Sequence, residues 1–202
     1  MAEMQSPTGK VAQRRREVLL RLREEGLRLM GQKGINACRV EQVTQAAGVS
    51  KGAFFTYFNS KQAFVADLVD QTLSELARRV APVVLSPPDA ESVLSAVLSV
   101  HLRFFHLQPQ AAVLINQACH PGLGNAQAGI RLRRHIDEVA ELISPAGQSL
   151  GWPRPQIPGL ALSIFSLSCG LTRFSLGLGL ETPPDFKERL GKAMARGLAA
   201  PV

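Results

Sequence analysis

An all-α fold of about nine helices is what this 202-residue sequence predicts. Three observations predict it. Apolar residues recur at three- and four-residue steps through every long segment. Proline and glycine punctuate those segments at intervals that suit helices. No alternating apolar–polar run bounded by turns argues for a sheet. With 46% hydrophobic residues the chain can bury a core, which excludes wholesale disorder.

Residues 1–11 read as a disordered lead-in containing Ser6, Pro7, Thr8 and Gly9. From about Ala12, Val18, Leu19, Leu22, Gly26, Leu29 and Met30 form one helical stripe, and Gly31 and Gly34 end it. A short helix over about Val40–Ala47 follows, then the turn Gly48-Val49 and a second short helix from Ser50 to Phe58. Ser50 and Ser60 are both good N-cap residues, and Ser60 starts a longer helix that runs to about Ala81. Pro82 and Ser86-Pro87-Pro88 end it. Five more helices are expected at about Asp89–Leu107, Gln110–Cys119, Asn125–Ser144, Pro158–Gly179 and Pro184–Ala199. The Gly/Pro-rich stretch 147–158 reads as the longest loop.

The charge is unevenly placed. Residues 1–61 hold 11 Lys/Arg against 5 Asp/Glu, a balance of +6, whereas residues 62–202 carry a balance of only +1. The first third therefore faces a polyanion, nucleic acid or anionic membrane, and the rest is a near-neutral body. Cys38, Cys119 and Cys169 are odd in number and far apart, so neither a disulfide framework nor a zinc site is legible and a cytoplasmic location is expected. No secretory signal precedes the first helix. Leu160–Leu180 imitates a membrane span, but Arg173 at its centre favours a buried helix of a bundle.

Two short helices about a glycine turn, near residues 39–58, have the size of a helix-turn-helix. Val43, Ala47, Phe54 and Phe58 fall on the faces that would share a small core. The opposite face of the second helix shows Lys51, Ala53, Phe55, Thr56 and Tyr57. A helix in a DNA major groove needs such a surface: small residues for close approach, a hydroxyl and an ammonium for phosphates or base edges. Lys61 and the free N–H groups near Ser60 offer further phosphate contacts.

These residues resemble the tetracycline-repressor (TetR) family of transcriptional regulators. The resemblance is carried by Gly34-Ile35, Val40, Val43, Ala46-Ala47-Gly48-Val49-Ser50-Lys51-Gly52, Phe54-Phe55-Thr56-Tyr57-Phe58 and Ser60-Lys61, and covers about residues 14–73. It implies DNA contacts from Arg39, Ser50, Lys51, Gly52, Ala53, Phe55, Thr56, Tyr57 and Lys61. Three positions depart from the family pattern. Phe55 lacks the usual tyrosine hydroxyl, Arg39 replaces a capping Thr or Ser, and Thr44 replaces a small alanine. The resemblance further implies residues 12–60 as a DNA-binding domain and 61–202 as an effector-binding and dimerisation domain.

A dimer is expected on physical grounds, because two readers one helical turn apart, about 34–36 Å, roughly double the contact with a palindrome. The expected interface is the last helix pair, through Ser166, Gly170, Arg173, Phe186, Leu190 and Met194. His101, Phe104, Phe105, Leu114, Cys119, Phe165 and Phe174 are candidate walls for a small-molecule effector, weakly preferred as apolar. The four histidines fit no metal-ligand spacing, and neither metal nor cofactor is expected. The leading reading is a homodimeric repressor released from a palindromic operator by a small molecule. The alternative is a helical small-molecule-binding or enzymatic protein whose helix-turn-helix does not bind DNA, although no catalytic set supports it. A membrane-surface protein with a basic first helix is the third.

Overall fold

The computed structural model describes residues 7–85, 89–120, 124–179 and 186–199. Those residues form nine α-helices and two short 3-10 turns, with no strand. The helices are α1 (Pro7–Lys33), α2 (Val40–Ala46), α3 (Lys51–Tyr57), α4 (Lys61–Val80), α5 (Ala90–Leu107), α6 (Pro109–Ala118), α7 (Ala126–Ser149), α8 (Ile157–Leu178) and α9 (Phe186–Ala199). The all-α reading is correct, and most boundaries lie within a turn of expectation.

Two boundaries differ, each for a physical reason. Helix α1 starts at Pro7, inside the segment expected to be an unstructured lead-in. Proline is well tolerated at a first helical position, where its missing N–H has no partner to lose. Helix α7 passes through Pro145 and continues to Ser149, so most of the expected 147–158 loop is helix or 3-10 turn. Pro145 is exposed, while Ala146 and Gly147 are buried against α8. A Cβ on Gly147 would come within 2.5 Å of Ile157 Cδ1. Close packing there outweighs the hydrogen bond that Pro145 cannot donate to the preceding turn.

Local chemistry sets the helix starts. Ser50 Oγ accepts from Ala53 N at 3.1 Å and Ser60 Oγ from Ala63 N at 3.0 Å. Asp89 and Asn125 cap α5 and α7 in the same way. Helix α1 ends where Gly34, at φ +86°, donates its N–H to Met30 O. Gly48, at φ +65°, makes the turn between α2 and α3.

Helices α1–α3 share a small core of Leu22, Met30, Val43, Ala47, Phe54 and Phe58. Phe64 of α4 joins it, with ring centroids 5.2 Å from Phe54 and 4.7 Å from Phe58. In the body α5 is central and packs against α4, α6, α7, α8 and α9. Helices α8 and α9 each lie on α5 and make little contact with one another. Arg154–Leu178 is long and apolar enough to cross a membrane, but its inner face, including Leu160, Ile164 and Phe165, belongs to the core.

The helix-turn-helix and the body approach closely at Gly31, where a Cβ would lie 2.3 Å from Gln110 Cβ and 2.9 Å from Gln110 O. Gly31→Ala must therefore push α6 away, with an overpacking cost of about 1–3 kcal/mol. Gly129, on α7, has nothing within 4 Å of the same atom. Gly129→Ala should stabilise by about 0.5–1 kcal/mol through helix propensity alone. Thermal unfolding of the two variants should shift in opposite directions.

Candidate nucleic-acid interface

The outward face of α3 is built from its first turn upward. Lys51, Gly52, Phe55 and Thr56 are exposed, and Ala53 is half-buried. Phe55 leaves 46% of its surface open, although its ring packs edge-on to Phe54 at 5.3 Å. Thr56 Oγ1 donates to Gly52 O at 3.1 Å and keeps its lone pairs outward. Around a Cβ on Gly52 the nearest atom is Ser50 Oγ at 3.8 Å. Nothing inside the protein requires a glycine there, and mid-helix glycine costs about 0.5–1 kcal/mol relative to alanine.

Arg39 is exposed at the start of α2. A guanidinium has no acceptor and cannot cap a helix. Gln42 supplies the return half of a capping box instead, its Oε1 accepting from Arg39 N at 2.9 Å. Thr44 is buried and satisfies its hydroxyl on Glu41 O at 3.1 Å, which is why it can replace alanine. Ser50 is engaged as the α3 cap, and its exposed oxygen lies at the edge of the same surface.

Two expected DNA-side groups are engaged within the chain. Tyr57 is half-buried and turns back to α1, its hydroxyl donating to Arg15 O at 3.2 Å. Lys51 Nζ lies 2.6 Å from Glu41 Oε1, across α3 and α2. That hydrogen bond to Lys51 holds the Glu41 carboxyl below its ordinary pKa. Lys61 is half-buried at the N-terminus of α4, beside N–H groups that the helix leaves unpaired.

The expected effector walls divide. His101, Phe104, Phe105, Leu114 and Phe165 converge in the body core, each 4% exposed or less. Cys119 is half-buried, and burial pushes its thiol up to about 11. Phe174 does not line that interior. It is 59% exposed on the outer face of α8, which is open from Leu162 onward, with the Arg173 guanidinium 5.4 Å from its ring centre. His135 was not among the expected walls, yet it is 2% exposed, with its ring 5.8 Å from both His101 and Phe165. Its position on the buried stripe of Ala128, Ile136, Val139 and Ile143 is the signal that could have found it. His101 Nδ1 pairs with Val97 O at 2.8 Å, but His101 Nε2 and both nitrogens of His135 have no hydrogen-bond partner among the described residues. Burial lowers His101 to about 4 and His135 to about 3, so both are neutral.

Of the expected subunit contacts, Ser166 is exposed and Gly170 half-buried on the outer face of α8. Arg173 lines a cleft beneath the helix-turn-helix. Phe186 is exposed and Leu190 half-buried on α9, while the Met194 side chain lies outside the described residues. Cys38 and Cys169 are buried, and burial raises both thiols, Cys169 to about 12. That makes neither a reactive thiolate.

A helix-turn-helix with an exposed, small-residue reading face, set on a larger helical body, defines the class of one-component DNA-binding regulators. Residues 22–68 match the family model described as bacterial regulatory proteins, tetR family. The chain is 33% identical over 58 residues to the HTH-type transcriptional repressor DhaR of Mycobacterium sp. (strain GP1), covering 29% of each chain. It thus spans less than a third of the length of the curated relatives it matches. The fold extends further. FadR of Bacillus subtilis, solved in complex with stearoyl-CoA, superposes with a TM-score of 0.76 at 13% identity, over 91% of this chain and 98% of that one. The TetR-family regulator PfmR of Thermus thermophilus gives 0.66 at 21% identity, over 89% and 97%. The helix-turn-helix segment, residues 22–68, is thus of the tetR type of bacterial regulatory proteins, and the helical body shares the fold of solved TetR-family regulators.

Removing the Glu41 charge frees Lys51 for phosphate. Glu41→Gln should tighten DNA binding at low salt and steepen its salt dependence, read by fluorescence anisotropy at several salt concentrations. The buried histidines set a second expectation. Their folded-state pKa values lie below the ordinary 6.5, so the unfolded chain takes up protons first as pH falls. Their contribution is complete above pH 6.5 and is lost as pH falls toward about 4 and 3, by up to about 1.4 kcal/mol per unit per histidine. Urea titrations of wild type and His135→Phe should diverge below pH 6.5, the variant losing less stability.

Proposed function

We propose that the chain is a homodimeric repressor that binds a palindromic operator through two α3 helices and is released by a small-molecule effector. The exposed α3 face, with Lys51 and Gly52 in its first turn and Phe55 and Thr56 in its second, carries the reading, because it is left open on the segment that matches the helix-turn-helix family. Ala53, Phe55 and Thr56 meet the groove, Lys51, Arg39, Ser50 and Lys61 meet phosphates, and Tyr57 braces α3 against α1. The local balance of +6 supplies the attraction to the duplex. Repression accords with the name of the relative DhaR.

The subunit contact we assign to the outer face of α8, with Phe186, Leu190 and Met194 of α9 beside it. Leu162, Phe174 and Leu178 are exposed there at 49%, 59% and 67%, interleaved with the small residues Ser166 and Gly170. So much apolar surface on one helix is unfavourable in water. Arg173, at the rim of this face, is left out because it turns to the cleft. The effector we assign to the body interior around His101, Phe104, Phe105, Leu114, Cys119 and Phe165, where an apolar molecule fits the lining. The stearoyl-CoA held by the structurally similar FadR is a ligand of that kind in its acyl chain. Such a regulator works in the cytoplasm.

Operator selection from a random duplex pool should return an inverted repeat with half-sites one helical turn apart. On that duplex Lys61→Ala should weaken binding and lower the salt slope by about 1, with the same loss on unrelated sequences. A pool that yields no enriched repeat, or an unchanged slope, would remove the reading.

A further inference from the structure

A cleft of about 530 Å³ lies where the helix-turn-helix meets the body. Its walls come from the turn after α1, the start of α4, the end of α6, the segment before α7, and α8. Three cations from three of these walls line it: Lys33, Lys61 and Arg173. No Asp or Glu lines it, and none of the three makes an ion pair among the described residues. By contrast, Arg23 is answered by Asp67, Arg28 by Glu25, Arg79 by Glu75 and Arg131 by Asp70.

Three unanswered cations around one concavity hold a positive potential that low-dielectric walls concentrate. The remaining lining is rich in amides, among them Asn36, Asn116 and Gln117, which can donate to anionic oxygens. We propose that this cleft is an anion site for a small molecule with a phosphate-bearing head of two or more negative charges. A monoanion leaves two cations unmatched, whereas a diphosphate spans lysine and arginine together. Arginine suits such a group because its fork engages two oxygens at once.

The position gives the site a consequence. Two hydrogen bonds close this cleft: Ile35 N to Gln117 Oε1 at 2.8 Å ties the helix-turn-helix to α6, and Asn125 Nδ2 to Gln62 O at 2.6 Å ties the segment before α7 to the start of α4. An occupant sits between those straps and recruits Lys61, which the DNA reading also needs. Ligand and DNA then compete for one ammonium group. This second step rests on the DNA reading; the anion site does not.

Calorimetric titration of the full chain with pyrophosphate, in the absence of DNA, tests the site. Wild type binds one equivalent per chain. Lys33→Ala and Arg173→Ala each weaken binding about tenfold, as expected for loss of a hydrogen bond to a charged group. Arg134→Ala, an exposed arginine on α7 outside the cleft, binds as wild type does. No heat of binding, or equal weakening in all three variants, overturns the proposal. The competition is read separately at fixed ionic strength: pyrophosphate lowers DNA affinity of wild type and not of the Lys33→Ala/Arg173→Ala double variant. Equal lowering in both would overturn the coupling and leave the anion site standing on the calorimetry alone.

Discussion

The contact of Phe64 with Phe54 and Phe58 fixes the direction of everything that follows. Phe64 stands on α4, one turn after its Ser60 cap, and the other two rings stand on α3 and just beyond it. The three centroids lie within 4.7–5.3 Å of one another. Each aromatic pair contributes about 0.5–1.5 kcal/mol beyond area burial. The larger effect is geometric. The same α4 continues into the body through Leu68, Leu73 and Leu76, so α3 cannot turn without turning α4. Gly26 completes the lock, because a Cβ there would lie 2.3 Å from Phe64 Cζ. Between α1 and α4, Arg23 holds Asp67 through two hydrogen bonds of 2.8 and 2.7 Å. The reading face is therefore a rigid extension of α4.

A rigid unit needs a compliant joint if the body is to act on it. The joint is narrow. Helix α1 crosses α6 at Gly31, where backbone meets side chain with no room for a methyl group. Beside it are the Gln117 and Asn125 hydrogen bonds, both exposed and worth at most about 0.5–1.5 kcal/mol net. Opposing them are the packed interfaces of α4 with α7 and of α5 with α8 inside the body. The two hydrogen bonds are of the size of a typical ligand-driven coupling, about 1–3 kcal/mol.

How far the sequence could be read follows from which forces were local. The caps at Ser50, Ser60, Asp89 and Asn125, the turn at Gly48 and the apolar stripe of α4 all depend on residues within one or two turns, and all are as expected. The failures are tertiary. Pro145 looks like a terminator until Gly147 is seen to admit Ile157. Phe174 reads as a core residue by its type alone, but it falls on the outward arc of α8 with Ser163, Ser166 and Gly170. Tyr57 lies on the outward arc of α3, and only its bond to Arg15 O, 42 residues away, shows that it braces the helix. Gln117 and Asn125 carry no signal for their long-range hydrogen bonds, because an amide at a helix end is ordinary in sequence.

The pairing of Lys51 with Glu41 shows why a strongly basic domain need not bind duplex indiscriminately. At 2.6 Å in open solvent the pair adds little to folding, since exposed ion pairs are screened and cost side-chain order. Its effect is on the competition for Lys51. Any phosphate must displace a carboxylate already in place, and that exchange is the same for every sequence. On the proposed reading, contacts along Phe55, Thr56 and Gly52 then decide which duplex repays it, because they depend on the shape and edges of the bases. An internal acid of this kind lowers sequence-independent affinity without touching the surface proposed to read bases. On that reading the +6 balance of the first 61 residues draws the domain to DNA, and Glu41 shortens the stay at a wrong site.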